Sequence, residues 1–196
     1  MSVTVRPASP ADAAHLAEVA AVTFPLACPP HSTAEAQAAF IAEVLSEARF
    51  VEYIADANRA ILIAEADGTR DDNTKPGSTA SDVAEADNTM IGYTMLVFGE
   101  PHDPDVVAAL RIRPTVELSK CYVLPGHHGA GIAGELMTAS LDVARERGAT
   151  GIWLGVNEEN TRAHRFYGKH GFERVGTKHF RVGDAVEDDF VLERAL

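Results

Sequence analysis

The chain has 196 residues, 46% hydrophobic and 23% charged, which suits one globular domain or one domain carrying an insertion. Its 29 acidic against 17 basic residues give a formal charge of -12, which argues against a nucleic-acid binder working through clustered Lys and Arg. That balance keeps a protein soluble and is compatible with a cationic substrate. Met1 to Arg6 reads as a strand and not as a targeting segment, and no apolar run approaches the roughly 20 residues that cross a bilayer. With two unmatched cysteines, Cys28 and Cys121, the expectation is a cytoplasmic protein with no membrane partner.

After the first strand, Ser9-Pro10-Ala11-Asp12 has the form of a capping box with Pro at the first helical position. The helix it opens carries Ala13, Leu16, Ala17 and Ala20 on one side. A break at Phe24 to Pro30 precedes a second capping pattern, Ser32 and Glu35, and an apolar stripe of Phe40, Ile41, Val44 and Leu45. Residues 48–57 read as a further short helix. Ala60 to Glu65 and Met90 to Phe98 read as buried strands. Between them, residues 67–89 are too poor in apolar side chains to fold alone, and are expected to form a flexible acidic hairpin insertion in a single domain spanning 1–196.

The pattern continues with a strand at Thr115 to Leu124 and a helix over 129–147, ended by Gly148. A strand follows at Gly151 to Val156, then a short helix from Asn160 to His170, ended by Gly171. Phe172 to Val182 and Asp189 to Arg194 close the chain as an antiparallel pair. This order predicts a mixed sheet with helices on its faces, neither a pure βαβ repeat nor a bundle.

The informative segment is Tyr122-Val123-Leu124-Pro125-Gly126-His127-His128-Gly129-Ala130-Gly131-Ile132-Ala133-Gly134. A strand ends, a glycine-rich loop turns and a helix begins, which is a place for an anion. A Walker A loop needs Lys then Ser or Thr after its last Gly, and Ile132-Ala133 stand there instead. Gly129, Gly131 and Gly134 spell a dinucleotide fingerprint. However, Pro125 to His128 separate it from the strand, and no acidic residue follows where the ribose needs one.

His128-Gly129-Ala130-Gly131-Ile132-Ala133 resembles the pyrophosphate loop Arg/Gln-x-x-Gly-x-Gly/Ala of the GCN5-related N-acetyltransferases, with His128 in place of Arg or Gln. Upstream, Glu117 to Val123 resembles that family's fourth strand. Downstream, Asn160 to Tyr167 and Gly171-Phe172 resemble its Asn-x-x-Ala-x-x-x-Tyr and Gly-Phe signature. Ile152 to Val156, the Asn160 helix, the tail His179 to Asp184 and Thr23-Phe24 are similar to the PaiA-type polyamine N-acetyltransferases.

The resemblance implies an α/β (α+β) fold with a mixed, mostly antiparallel sheet of about seven strands and helices on both faces. It implies acetyl-CoA as co-substrate and direct transfer of acetyl to a primary amine, with spermidine or spermine leading. Another small amine, a protein N-terminus, or a non-catalytic CoA-binding regulator stay as alternatives, and a homodimer stays open.

The residues implied to hold acetyl-CoA are Val123, Leu124, His128, Gly129, Ala130, Gly131, Ile132, Ala133, Gly134 and Asn160. Among them, the Val123 N–H is the donor to the acetyl carbonyl. Asn160 also stands where it can cap its helix. Tyr167 is the expected general acid at the departing sulfur. Glu117 is the expected general base acting through water, or else a ligand for the ammonium. Strand alternation puts Glu117, Ser119, Cys121 and Val123 on one face. His127-His128 lack ligand spacing, so no metal is expected, and Cys121 reads as core and not as a nucleophile. Phe24, Tyr53 and the break after Phe24 are candidates for the acceptor wall.

Overall fold

The computed structural model describes residues 3–66, 89–182 and 185–196, with 180–182 and 185–187 described by backbone only. The strands are β1 (Val3–Pro7), β2 (Arg59–Ala66), β3 (Thr89–Phe98), β4 (Thr115–Val123), β5 (Gly151–Asn157), β6 (Glu173–Val182) and β7 (Ala185–Ala195). The helices are α1 (Ala13–Thr23), α2 (Ala34–Val44), α3 (Glu47–Ala55), α4 (Pro104–Ala109), α5 (Ile132–Glu146) and α6 (Thr161–Lys169). The strands form one sheet in the order β1-β2-β3-β4-β5-β7-β6, antiparallel everywhere except between β4 and β5. This is the mixed α/β architecture expected. The insertion foreseen at 67–89 falls, apart from Thr89, outside the described residues.

Apolar side chains cover both faces. On one, Leu16, Val19, Ala20 and Phe24 from the α1 region join Phe50 of α3 and Tyr93 and Met95 of β3. On the other, Met137, Leu141 and Ala144 of α5 pack on Leu96, Val116, Leu118, Ile152 and Leu154. Burying a side chain of this kind contributes roughly 1.5–3 kcal/mol, so the two layers hold the sheet rigid between them.

Three local readings change. The second helix is capped by Thr33 and not Ser32, because the Thr33 hydroxyl accepts the Ala36 N–H at 3.2 Å. α5 begins at Ile132 and not at 129, because Gly129 and Gly131 take positive φ (88° and 83°) and cannot continue a helix. α4 escaped the periodicity reading, although Asp103 caps it through the N–H groups of Asp105 and Val106 and Pro104 follows at its first position.

The start of α1 is pinned to the sheet by charge. Arg6 of β1 grips Asp12 through two bonds of 2.8 and 2.9 Å and reaches Glu65 of β2 at 2.6 Å. Asp12 also accepts the Ser9 N–H at 2.6 Å and the Ser9 hydroxyl at 2.8 Å, closing the predicted box. The Arg6 guanidinium holds the Asp12 carboxyl well below the usual carboxylate range. A depressed native value means stability that is complete above the unfolded carboxylate value of about 3.9 and is lost as pH falls through the native one. Asp12→Ala is therefore expected to cost about 2 kcal/mol in urea unfolding at pH 7. The gap to wild type should narrow at pH 3, and a gap independent of pH would remove the ionic contribution.

Candidate active site

The ladder between β4 and β5 covers only Thr115 to Glu117 against Gly151 to Trp153. Beyond it, β4 stays with β3 and β5 stays with β7, so the two neighbours part. A cavity of about 640 Å³ opens at the parting, and the loop 127–134, α6 and the turn after α1 close around it. Its lining includes Glu117, Val123, His128, Gly129, Gly131, Ile132, Ala133, Gly134, Asn160 and Tyr167. Two expected residues stand apart. Leu124 packs with the α1-side core and gives its N–H to the Ile91 carbonyl at 2.8 Å, and Ala130 is exposed outside the lining.

The Leu124 bond fixes the direction of its neighbours. N–H groups of successive strand residues point to opposite edges. Leu124 donates to β3, so the N–H groups of Val123 and Cys121 point across the gap toward β5. Sequence reasoning found the first of these donors and missed the second. The Val123 carbonyl is taken, because the His128 ring Nε2–H donates to it at 2.9 Å. His128 thus ties the loop to the strand end.

At that end, Gly131 caps α5 at φ 83°, with open space where a Cβ would stand. Conformation, not crowding, demands glycine here. The first bond of the helix runs from the Gly134 N–H to the Gly131 carbonyl at 2.8 Å. The N–H groups of Ile132 and Ala133 precede it and face the loop, the arrangement that favours an anion. Asn160 caps α6 by accepting the Ala163 N–H at 3.0 Å, and still lines the cavity. Arg162 lines it as well, whereas Arg165 and Lys169 are exposed elsewhere on α6.

Tyr167 enters from the α6 side between Phe166 and Phe172, with ring centroids at 5.3 and 5.7 Å. Its ring packs in the same cluster as Cys121, and both line the cavity. Burial pushes the Tyr167 hydroxyl well above its ordinary value, so it keeps its proton and remains a donor. Burial also pushes the Cys121 thiol up to about 12, which leaves it uncharged and unfit as a nucleophile. Among the described residues, no cluster of three or more His, Cys, Asp or Glu stands where it would hold a metal ion.

The expected face of β4 does not hold. Leu96 pairs with Leu118 but Met95 pairs with Lys120, so Ser119 is an extra residue in a β-bulge. The bulge shifts the alternation by one. Cys121 pairs with Thr94, whose hydroxyl bonds Ser140 of α5 at 2.8 Å, so Cys121 and Val123 face α5 and α6. Glu117, paired with Val97, faces the opposite way with Lys120 and Tyr122, toward α1 and α2.

That second side has the character of an acceptor wall. Phe24 and Phe40 stack at 4.5 Å and 7° and line the cavity with the turn that follows α1. Tyr53 does not line it. It is buried in the core and donates its hydroxyl to the Val44 carbonyl at 3.1 Å. The pairing of β6 with β7 brings in Lys178 and Asp189, 3.8 Å apart, which local pattern could not place beside β4.

Comparison with known proteins agrees with this geometry. A family model described as the acetyltransferase (GNAT) family matches residues 38–172. An uncharacterized N-acetyltransferase of Mycobacterium tuberculosis is 44% identical over 185 residues, 94% of this chain and 98% of that one. Among solved structures, the PaiA N-acetyltransferase of Thermoplasma acidophilum in complex with coenzyme A gives a TM-score of 0.72 at 21% identity over 100% of both chains. Arabidopsis thaliana NAA60 in complex with acetyl-CoA gives 0.71 at 16% identity, covering 100% of this chain and 99% of that one. At those identities the likeness is one of fold.

One glycine of β3 tests the site's backbone. A Cβ on Gly92 would lie 2.7 Å from the Tyr122 carbonyl oxygen and 3.2 Å from the Val123 Cα. Gly92→Ala must push β3 and β4 apart at the donor end, at about 1–3 kcal/mol. Calorimetric titration with CoA is expected to show several-fold weaker binding beside a lowered Tm. Unchanged CoA affinity would place the ligand away from Val123.

Proposed function

This chain belongs to the acetyltransferase (GNAT) family, and on that premise we propose that it moves acetyl from acetyl-CoA directly to a primary amine, with a polyamine such as spermidine as acceptor. The observation that carries the reading is the continuity of the cleft. Strand-edge N–H donors at Cys121 and Val123 lead into the anion-seeking turn at the start of α5, and Tyr167 stands beside them. A ligand with a diphosphate, an amide-bearing arm and a thioester matches that series in order.

In the reaction, the Ile132 and Ala133 N–H groups and the loop 128–134 hold the diphosphate. The arm lies along the free edge of β4 and adds the hydrogen bonds that β5 leaves unmade. The acetyl carbonyl accepts from the strand N–H groups, which stabilise the oxyanion as the amine attacks. Tyr167 gives its proton to the sulfur as the C–S bond breaks. Glu117, on the acceptor side, attracts the ammonium and favours loss of its proton through an intervening group. The polyamine assignment rests on the sequence resemblance, on the likeness of fold to a PaiA enzyme, and on the carboxylates of Glu117 and Asp189 in the acceptor half.

A thiol-release assay with acetyl-CoA across spermidine, spermine, aminoglycosides, amino acids and short peptides tests the reading. Spermidine is expected to give the highest kcat/KM. Turnover confined to another amine replaces the acceptor, and CoA binding without any turnover leaves a binding module. Tyr167→Phe is expected to lower kcat by about 100-fold or more with little change in CoA affinity. Gly131→Glu places a strained residue and a negative charge in the anion cradle, and CoA binding should be lost.

A further inference from the structure

We infer that Lys120 is the proton acceptor through which Glu117 acts, its amine taking the proton from the acceptor ammonium before that nitrogen attacks. The inference deepens the acetyltransferase reading and rests on it.

Position comes first. Lys120 lines the cavity, follows the bulge residue Ser119, and shares the acceptor face with Glu117 and Tyr122. The next residue, Cys121, presents its N–H to the gap where the acetyl carbonyl would sit. Glu117 starts four residues earlier. At about 3.3 Å per residue that is about 13 Å along the strand, too far for its carboxylate to serve the attacking nitrogen unaided. Lys120 lies between the two in the strand, on the face it shares with Glu117.

The surroundings favour a neutral amine. The Lys120 Nζ donates to the Ser119 carbonyl and hydroxyl, both at 3.2 Å, and has no ion-pair partner among the described residues. Burial lowers its affinity for a proton, the charge of Glu117 raises it, and the charges of Arg59 on β2 and Lys178 on β6 lower it again. Asp189 of β7 offsets Lys178 at 3.8 Å, and Tyr122 and Cys28 also stand on this side. Burial has the largest effect, so an uncharged nitrogen with a lone pair is more accessible at Lys120 than at an ordinary lysine. A half-buried lysine whose proton affinity is lowered in this way is a better base at working pH than an exposed one.

The protons balance. The neutral Lys120 amine takes one proton from the acceptor R–NH3+, and the resulting ammonium is steadied by Glu117. The freed amine forms the C–N bond, the C–S bond breaks, and the sulfur takes the Tyr167 proton. The second nitrogen proton returns through water to the Tyr167 oxygen, and Lys120 releases its own to solvent. The net change is R–NH3+ and acetyl-CoA to the acetamide, CoA–SH and one proton.

The chain contains four lysines, Lys75, Lys120, Lys169 and Lys178, so 13C-labelled lysine side chains can be followed one by one during a pH titration. The resonance that disappears in Lys120→Arg is expected to titrate at lower pH than the other three. With spermidine, or whichever amine the panel shows to be acetylated, Lys120→Met and Lys120→Arg should each lower kcat about 100-fold at unchanged CoA affinity.

A Lys120 resonance that titrates with the others overturns the inference. So does an active Lys120→Arg, because arginine keeps its proton and would show that charge alone suffices. So does an active Lys120→Met with the wild-type pH profile. Failure of every amine on the panel would instead bring down the acetyltransferase reading itself, and this inference with it. Should either variant fail to fold, the wild-type titration still decides the first point.

Discussion

A β-sheet is stable because each strand edge finds a partner, and the molecule is organised around the place where that condition is suspended. β4 and β5 are neighbours for three residue pairs and then part. Each is kept in place by its other neighbour, β3 or β7, so the separation does not unravel the sheet. Unpaired backbone groups in a cleft are costly unless water or a ligand meets them. The parting is therefore the natural seat for an extended molecule that replaces the missing strand. The α5 N-terminus stands at its wide end, where a charged terminus of that molecule would fall. Everything else in the site is placed relative to this gap.

The bulge at Ser119 gives the gap two chemically different sides. Without it, Glu117 and Cys121 would project together, and the strand would offer an acid and a base to the same space. With it, Cys121 and Tyr167 meet on the α5–α6 side, while Glu117 and Lys120 face the α1 turn. A thioester lying along the strand edge can then be approached by the amine from one side and relieved of its sulfur toward the other. In the proposed reaction, a single extra residue thus separates the incoming and the departing group.

Much of this was legible in the sequence, and the exceptions have physical causes. Strands and helices announced themselves through apolar period, and the loop from His128 to Gly134 through its glycines, because these patterns are local. The side of Glu117 was misread because a bulge leaves no mark on the alternation of side chains, and it exists only in the pairing of β3 with β4. Lys178 and Asp189 were invisible as site residues, since only the β6–β7 hairpin folded back against β5 brings them to the cleft. Gly92 did carry a signal, a glycine inside an otherwise bulky strand, and the close approach of the Tyr122 carbonyl explains it.

The overall charge of -12 invited the thought of a cation-binding surface, but the cleft does not share it. Lys120, Arg162 and Lys178 stand there against Glu117 and Asp189. Bulk charge governs how molecules approach over distances near the screening length, about 8 Å at physiological salt. Inside the cleft, burial matters more. The same desolvation keeps the Tyr167 hydroxyl protonated and favours the unprotonated amine of Lys120, since in both it penalises the charged form. In the proposed mechanism, one environment of low polarity therefore favours a proton donor on one side of β4 and a proton acceptor on the other. The two groups differ only in which of their states is neutral, and neither needs a strongly charged partner to be poised.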